Sequence, residues 1–399
     1  NLKPQRQRSL EFGTNFGLFN EFINVDFAWY KTNTLNQLLN LPGVLETGFD
    51  KLFINAGNIQ NKGYELLVNF APIRKKDWGL DVSVNLAHNK SKIVEFGNGI
   101  TEWELSGGYD GANVYAYEGG DFGVLTANPD ATAQIDPKTG WPLIIVSDVT
   151  QSTAAATKYR VQTYDFVPNV YSDSQKRIKL GKVEPDFVGG VSGTLRYKNF
   201  SLFAQVDGRI GGDVYSQAYS YGMSQGTLEE SLYGRDQEHG GVERIDSYNG
   251  QKRYDGVVPN VVFAEGQTSP LKAGVAIGGM TFREAYDQGL VEPWKASWYH
   301  AYNNNWGTNL NTGGSVSENS WIMLREITLG YNLPKGLINK VRLQGARINF
   351  TARNIGYLYK TLNADQNPES LQSNDPFRPY ITGGVPYYRN YSVSLNVRF

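Results

Sequence analysis

Hydrophobic positions recur at every second residue in nine separate segments of this chain. In the last segment one phase is apolar and the other polar, with the apolar residues being Tyr391, Val393, Leu395, Val397 and Phe399. A period of two places successive side chains on opposite faces of a β-strand. The pattern therefore predicts nine two-faced strands, near residues 10–18, 23–29, 64–70, 80–86, 191–197, 202–210, 327–331, 346–352 and 391–399.

One break in this alternation predicts a local irregularity. Ile322 and Leu324 are out of phase with Ile327. An extra residue in one strand of an antiparallel pair restores the phase. We therefore expect a β-bulge near Arg325.

The connections between the predicted strands alternate strictly in length. Short connections lie near 20–21, 72–77, 198–199 and 334–340, and long ones near 34–60, 94–184, 216–318 and 355–385. Two-faced strands fit either a soluble sandwich or a transmembrane barrel. The alternation favours the barrel, whose periplasmic turns are short and whose extracellular loops are long. Aromatic residues at strand ends fit its interfacial girdles: Tyr30, Tyr64, Phe70, Tyr197, Tyr331, Tyr391 and Phe399.

The number of predicted strands indicates whether this chain forms a whole barrel or part of one. Bacterial single-chain barrels close with an even number of strands, and open edges in lipid leave backbone groups unsatisfied. Nine strands, in a chain that starts at Asn1 without an initiator methionine, therefore predict the C-terminal part of a larger all-β, transmembrane antiparallel β-barrel. The segment 391–399 would be its closing strand, with Phe399 at the periplasmic interface.

The amino-acid composition argues against nucleic-acid binding and excludes thiol chemistry. The 38 basic and 39 acidic residues give no bulk charge that calls for nucleic acid, and the absence of cysteine removes thiol chemistry. No apolar run approaches the ~18 residues of a membrane helix.

Several segments together resemble TonB-dependent transporters of the SusC/RagA class. They are NLKPQRQRSLEFGTNFGLF (1–19), INAGNIQNKGYELLVNFAPI (54–73), RYKNFSLFAQVDGRIGGDVY (196–215), SWIMLREITLGYNLP (320–334), ARNIGYLYK (352–360) and YSVSLNVRF (391–399). The resemblance implies a 22-stranded barrel in the bacterial outer membrane, of which residues 1–399 are the last nine strands. The plug and the TonB-contacting segment would lie upstream, outside this chain.

The same resemblance implies a function and partners. It implies energised import of oligosaccharides or peptides, a SusD-like surface lipoprotein as a lid, contact with TonB and with outer-membrane lipids, and a dimer of such pairs. A terminal strand ending in an aromatic is similar to a barrel-assembly signal, here Tyr391, Val393, Leu395, Val397 and Phe399. A passive porin or an adhesin barrel is the alternative, and a soluble lectin-like sandwich comes third.

The sequence contains little that indicates a catalytic site or a metal site. His88, His239 and His300 are isolated, and the Gly190–Gly193 segment that resembles a nucleophile motif lies inside a predicted strand rather than a strand–turn–helix elbow. The acidic loop that many relatives carry is missing, so we assign no Ca²⁺ site. We expect a protein that is not an enzyme and holds no cofactor.

One predicted extracellular connection is dense in aromatic residues. Residues 293–307 contain Trp294, Trp298, Tyr299, Tyr302 and Trp306. Such rings stack on sugars or grip peptide side chains, and an exposed cluster of this size needs a cover. The rings either contact substrate or the lid, or pack the loop against its neighbours.

Overall fold

The main body of the protein is one antiparallel sheet of nine strands. The computed structural model describes residues 3–42, 51–55, 57–96, 99–108, 111–128, 133–152, 158–169, 177–303, 312–338, 343–362, 366–383 and 386–399. We number the sheet strands β1 to β9: Arg6–Leu18, Ile23–Leu35, Asn58–Arg74, Trp78–Glu95, Phe187–Tyr197, Phe200–Ile210, Trp321–Asn332, Gly345–Lys360 and Asn390–Arg398. Each strand pairs with its neighbour in the chain, so the sheet is a meander with β1 and β9 at its edges. All nine predicted strands are confirmed.

The predicted bulge is also confirmed. Gln205 on β6 faces Glu326 on β7, while the next residue, Val206, faces Leu324. Arg325 is therefore the extra residue. The pairing of β7 with β8 shifts at the same place.

The two faces of the sheet differ in polarity along its whole width. On what we call the outer face, Val25, Val68, Val84, Val191 and Val206 stand side by side in one lateral row across β2 to β6. Apolar side chains of the outer face are not covered by the protein. Val393 and Leu395 on β9, for example, are 72% and 63% exposed. An apolar surface of this extent indicates contact with a non-aqueous phase.

Aromatic rings mark the end of the outer face that is next to the short turns. Trp78 pairs with Tyr197, Tyr197 with Phe200, and Phe200 with Tyr331. The ring centroids of Trp78 and Tyr197 are 4.3 Å apart, and those of Phe200 and Tyr331 are 4.6 Å apart. This row is the first girdle.

A second row crosses the opposite end of the outer face. Trp29 pairs with Tyr64, and Tyr64 with His88. The rings of Tyr64 and His88 have centroids 5.1 Å apart, and Phe187 adds a further ring 5.3 Å from His88. Amphipathic rings at both borders of an apolar band are typical of membrane-spanning barrels.

The distance between the girdles matches a bilayer. His88 lies ten positions after Trp78 on β4, which is about 33 Å along a strand. A barrel strand is tilted by ~35–45°, so this length corresponds to an apolar band about 25 Å tall.

The prediction that Tyr30 belongs to an aromatic girdle is wrong, because its hydroxyl donates to the inner-face Asn89 Oδ1 at 3.0 Å. The neighbouring Trp29 takes the girdle position.

Short turns and long loops alternate as predicted. The turns are 19–22, 75–77, 198–199 and 333–344; we name the long connections loop 1 (36–57), loop 2 (96–186), loop 3 (211–320) and loop 4 (361–389). Helices are Gln217–Gln225 (α1), Phe282–Asp287 (α2), Ala296–Asn303 (α3) and Lys335–Ile338 (α4), with 3₁₀ turns at Glu229–Leu232 and Thr312–Ser315. Among the described residues, no helix has the length and apolar character needed to cross a bilayer.

The long loops contain short strands of their own. They are Leu38–Pro42 and Lys51–Asn55 in loop 1; Glu102–Ser106, Ala112–Tyr117, Phe122–Ala127, Leu143–Ser152, Lys158–Phe166 and Ile178–Lys182 in loop 2; Asp213–Ser216, Val242–Ile245, Lys252–Val257, Val262–Phe263, Trp294–Lys295 and Val316–Glu318 in loop 3; and Tyr380–Ile381 in loop 4.

These loop elements interlock. Leu143–Ser152 of loop 2 pairs in parallel with Val262–Phe263 of loop 3, and Asp213–Ser216 of loop 3 pairs with Tyr380–Ile381 of loop 4. A buried cluster that joins loops 2 and 3, which we call the loop core, contains Ile144, Tyr164, Phe166, Val258, Val261, Phe263, Ile277, Phe282, Ala285, Leu290, Val291 and Trp294. Loops 2, 3 and 4 therefore fold as one assembly on the sheet.

Candidate functional site

Charged side chains on the inner face pair with one another across strands. Arg196 on β5 contacts Asp81 on β4 at 2.5 Å, and Arg353 on β8 contacts Glu326 on β7 at 2.8 Å. Such pairs keep the inner face hydrophilic. The face is suited to line water or polar protein, as the interior of a membrane barrel does.

The bulge residue Arg325 ties a loop to the wall. Its guanidinium donates to Asp207 on β6 at 2.9 Å and to Glu369 of loop 4 at 2.8 Å. A third donation, at 3.1 Å, goes to Asn354 on β8. The extra residue of the bulge thus supplies a cation between two carboxylates, one on the sheet and one on loop 4.

Replacing this arginine should loosen loop 4 while the sheet stays assembled. In Arg325→Met we expect the docking of loop 4 to weaken by about 1–3 kcal/mol, because charge-assisted hydrogen bonds to two carboxylates are lost. Hydrogen exchange of residues 366–383 should rise by a corresponding ~5- to 150-fold. Arg353→Met is the matched control, since it removes an inner-face arginine without touching loop 4. Equal exchange of loop 4 in both variants would contradict the docking role.

A cavity of about 550 Å³ lies between the inner face and loops 2, 3 and 4. Polar side chains from the sheet line one part of it, namely Tyr30, Asn61, Glu65, Asn89, Ser91 and Arg209. Apolar residues from the loops line another part, namely Phe122, Val214, Leu371, Pro376, Phe377 and Pro379. A volume of this size and mixed lining are typical of a small-molecule site.

Loop 2 is anchored at this cavity through Glu184. Its carboxylate accepts hydrogen bonds from the Ser91 backbone N–H at 2.8 Å and from the Ser91 hydroxyl at 2.9 Å. The Asn89 amide also donates to it. These bonds occupy both oxygens of Glu184, so the residue holds loop 2 against β4.

Arg209 on β6 is held by backbone carbonyls. Its Nη2 donates to the carbonyl of Val183 at 3.0 Å and its Nε to that of Gly211 at 3.2 Å. Gly212 adopts a φ of +80°, and a Cβ there would come within 2.2 Å of Nη2. Glycine is therefore required both by the backbone conformation and by the space that the guanidinium occupies.

Trp294, the first aromatic of the 293–307 segment, belongs to the loop core. It is 0% exposed, and its ring lies 5.3 Å from Tyr164, 5.7 Å from Phe166 and 5.6 Å from Tyr299 between centroids. For Trp294 the structure therefore agrees with the alternative in which the ring packs the loop against its neighbours.

The other predicted contact residues are distributed differently. Trp298 and Tyr299 on α3 are partly buried against the loop core, and burial raises the pKa of Tyr299 to about 12. The next residue, His300, is buried with Nε2 2.8 Å from the Tyr233 carbonyl, and burial lowers its pKa. Tyr302 also lies on α3, whereas Trp306 lies outside the described residues. Contact of these residues with substrate or lid stays a prediction.

The proposed assembly signal occupies the outer face of β9. Tyr391, Val393, Leu395 and Val397 are all exposed there, and Phe399 after the strand is 82% exposed. The ring of Tyr391 stacks on Phe350 of β8 at 6.3 Å. Their role in assembly stays a prediction.

The residues considered for catalysis are scattered over the protein. Gly190–Gly193 lies within β5, as expected from its pattern. The Nδ1 atom of His88 on β4 lies 2.5 Å from the carbonyl oxygen of Asp186. The Nδ1 atom of His239 in loop 3 lies 2.7 Å from Asp236 Oδ1. The structure brings none of these histidines together.

The fold and the inner face define a class of protein: a membrane-barrel wall with a polar interior and a folded assembly of long loops. The family model described as TonB dependent receptor-like, beta-barrel, matches residues 1–207. The chain belongs to this TonB-dependent receptor β-barrel family. Receptors of the family are outer-membrane transporters.

Individual relatives agree with this assignment. The chain is 22% identical over 427 residues to TonB-dependent receptor P3 of Formosa agariphila, covering 100% of this chain and 34% of the relative. It is 31% identical over 124 residues to TonB-dependent receptor SusC of Bacteroides thetaiotaomicron, covering 30% of this chain and 11% of SusC. The RagAB peptide importer in the closed-closed state has a similar fold, with a TM-score of 0.58, 20% identity and coverage of 98% of this chain and 35% of that chain. This chain spans about a third of P3 and of the RagAB chain.

Proposed function

We propose that this chain is the C-terminal portion of the barrel of a SusC/RagA-class transporter that imports large nutrients, oligosaccharides or peptides, across the bacterial outer membrane. The observation that carries the proposal is the nine-stranded meander with an apolar outer face, two aromatic girdles and a polar inner face. Membership in the TonB-dependent receptor family supports energised rather than passive transport. Under this proposal the chain supplies the last nine of 22 strands, and the plug and TonB-contacting region lie outside it.

The loop assembly suits a large partner at the mouth of the barrel. Long loops that fold together offer a broad polar surface, as extensive wet interfaces require. SusC- and RagA-like receptors work with SusD- or RagB-type lipoproteins. We propose a SusD-like lid on loops 2, 3 and 4, TonB on the periplasmic side and a dimer of such pairs.

Uptake by cells with and without TonB tests the proposal. Cells that express the complete protein should accumulate the nutrient that supports their growth, and deletion of TonB should abolish accumulation while the barrel remains in the membrane. Uptake that persists without TonB would indicate a passive porin. Mild-detergent purification should return the lid lipoprotein together with the barrel.

A further inference from the structure

The cavity between the sheet and the loops has opposite charges at the two ends of one lateral row. Glu65 on β3 pairs with Ala87 on β4, and both Ala87 and Arg209 pair with Val188 on β5. All four residues line the cavity. Neighbouring strands are ~4.8 Å apart, so the Cα atoms of Glu65 and Arg209 are about 14 Å apart. Within this row the small apolar residues Ala87 and Val188 lie between the two charges. The carboxylate of Glu184, which also lines the cavity, is taken up by hydrogen bonds from Asn89 and Ser91.

Neither charge is neutralised by an ion pair within the described part of the chain. The guanidinium of Arg209 is half-buried, and its hydrogen-bond partners are the two backbone carbonyls of Val183 and Gly211. Asp213 acts on it at longer range and accepts a hydrogen bond from the Lys182 backbone at 2.8 Å. Glu65 is exposed to the cavity. A half-buried cation without a direct carboxylate partner is costly unless an anion completes the site.

We propose that this cavity binds short peptides with free termini, with the peptide carboxylate at Arg209 and the ammonium group at Glu65. This inference rests on the proposed transport function and assigns its substrate class. The planar guanidinium suits bidentate recognition of a carboxylate. An extended peptide of two to four residues spans about 7–14 Å, which matches the separation of the two charges.

The apolar part of the cavity fits the side chains of such a peptide. Phe122 of loop 2 and Phe377 of loop 4 are in edge-to-face contact with centroids 4.8 Å apart, next to Pro376 and Leu371. A neutral oligosaccharide brings no charge to either end of the row. An acidic oligosaccharide would pair with Arg209, but Glu65 would repel it.

Binding of capped and uncapped tripeptides to the purified complete transporter tests the inference. The wild type should bind trialanine roughly 10-fold or more tightly than either trialanine amide or N-acetyl-trialanine, because each cap removes a charge-assisted contact. In Arg209→Gln the preference for the free carboxylate should vanish and that for the free amine should remain. In Glu65→Gln the pattern should be the reverse. Arg196→Gln, an inner-face arginine paired with Asp81 outside this cavity, should keep both preferences.

The readout is a ratio within one variant, so a partly misfolded preparation lowers both affinities alike. Equal binding of free and capped peptides to the wild type would overturn the inference, as would an unchanged carboxylate preference in Arg209→Gln. Trigalacturonic acid that binds the wild type while trialanine does not, and binds Glu65→Gln more tightly, would replace the peptide by an acidic oligosaccharide. TonB-dependent nutrient uptake would stand in either case, so a wrong substrate class is distinguishable from a wrong function.

Discussion

Trp294→Ala should unfold the loop assembly locally while the nine-stranded sheet stays intact. The ring is fully buried in the loop core against Tyr164 and Phe166. Truncation of a buried tryptophan to alanine leaves a cavity and costs about 3–5 kcal/mol. Loop regions open below the global unfolding free energy, so the loss should appear as local opening. We expect faster hydrogen exchange and proteolysis in residues 143–166 and 256–300, with unchanged extraction of the barrel from membranes.

Two further variants separate packing from ligand contact. Trp294→Phe refills part of the space and should cost clearly less than Trp294→Ala. Trp298→Ala removes a ring that is only partly buried against the loop core, so its stability loss should be the smallest of the three. If Trp298 contacts substrate, its removal should weaken binding by roughly 1–3 kcal/mol without a matching change in exchange. Normal exchange in Trp294→Ala would show that the loop core does not depend on this ring.

Val84→Arg should block insertion of the barrel, whereas the neighbouring change Asn85→Arg should not. Val84 lies in the middle of the outer face, in register with Val68 and Val191 and between the two girdles. An arginine on the lipid face near the bilayer midplane costs about 2–4 kcal/mol. Asn85 is the next residue of β4 and points to the polar inner face, where an arginine keeps its hydration.

Leu395→Arg and Ser394→Arg form a second matched pair on β9. Leu395 is on the outer face, and Ser394 accepts a hydrogen bond from Asn349 at 3.2 Å on the inner face. The measurement is the fraction of protein that reaches the outer membrane and shows heat-modifiable migration. Outer-face variants should fall well below the wild type and inner-face variants should remain close to it. Equal yields within both pairs would refute the assignment of faces.

Strand identity and face polarity follow from the sequence because both are local properties. The period of two in segments such as 391–399 is written in adjacent residues, and a strand converts it directly into two faces. The bulge at Arg325 was predictable for the same reason, since one residue out of phase is visible without knowing the partner strand. The alternation of short and long connections likewise required only counting along the chain.

The candidate site was decided by tertiary structure. Glu65 and Arg209 are 144 positions apart in the sequence, and each is one charged residue in a polar phase that contains many others. Only the register of β3, β4, β5 and β6 places them in one row, and that register depends on pairing across loop 2. The only sequence signal was their polar phase, which says that both face inward but not that they share a cavity.

In the loops, too, the sequence determined one part of the result and the tertiary structure another. The aromatic density of 293–307 predicted that this segment needs a cover, but composition could not say whether a ligand or the protein itself supplies it. The structure buries Trp294 against Tyr164 and Phe166 of loop 2, which lie far from it in the chain. Local patterning therefore determined the nine strands, their faces and their order. Long-range packing determined which loop residues are buried and which charges meet, because those contacts join segments whose sequences carry no mark of each other.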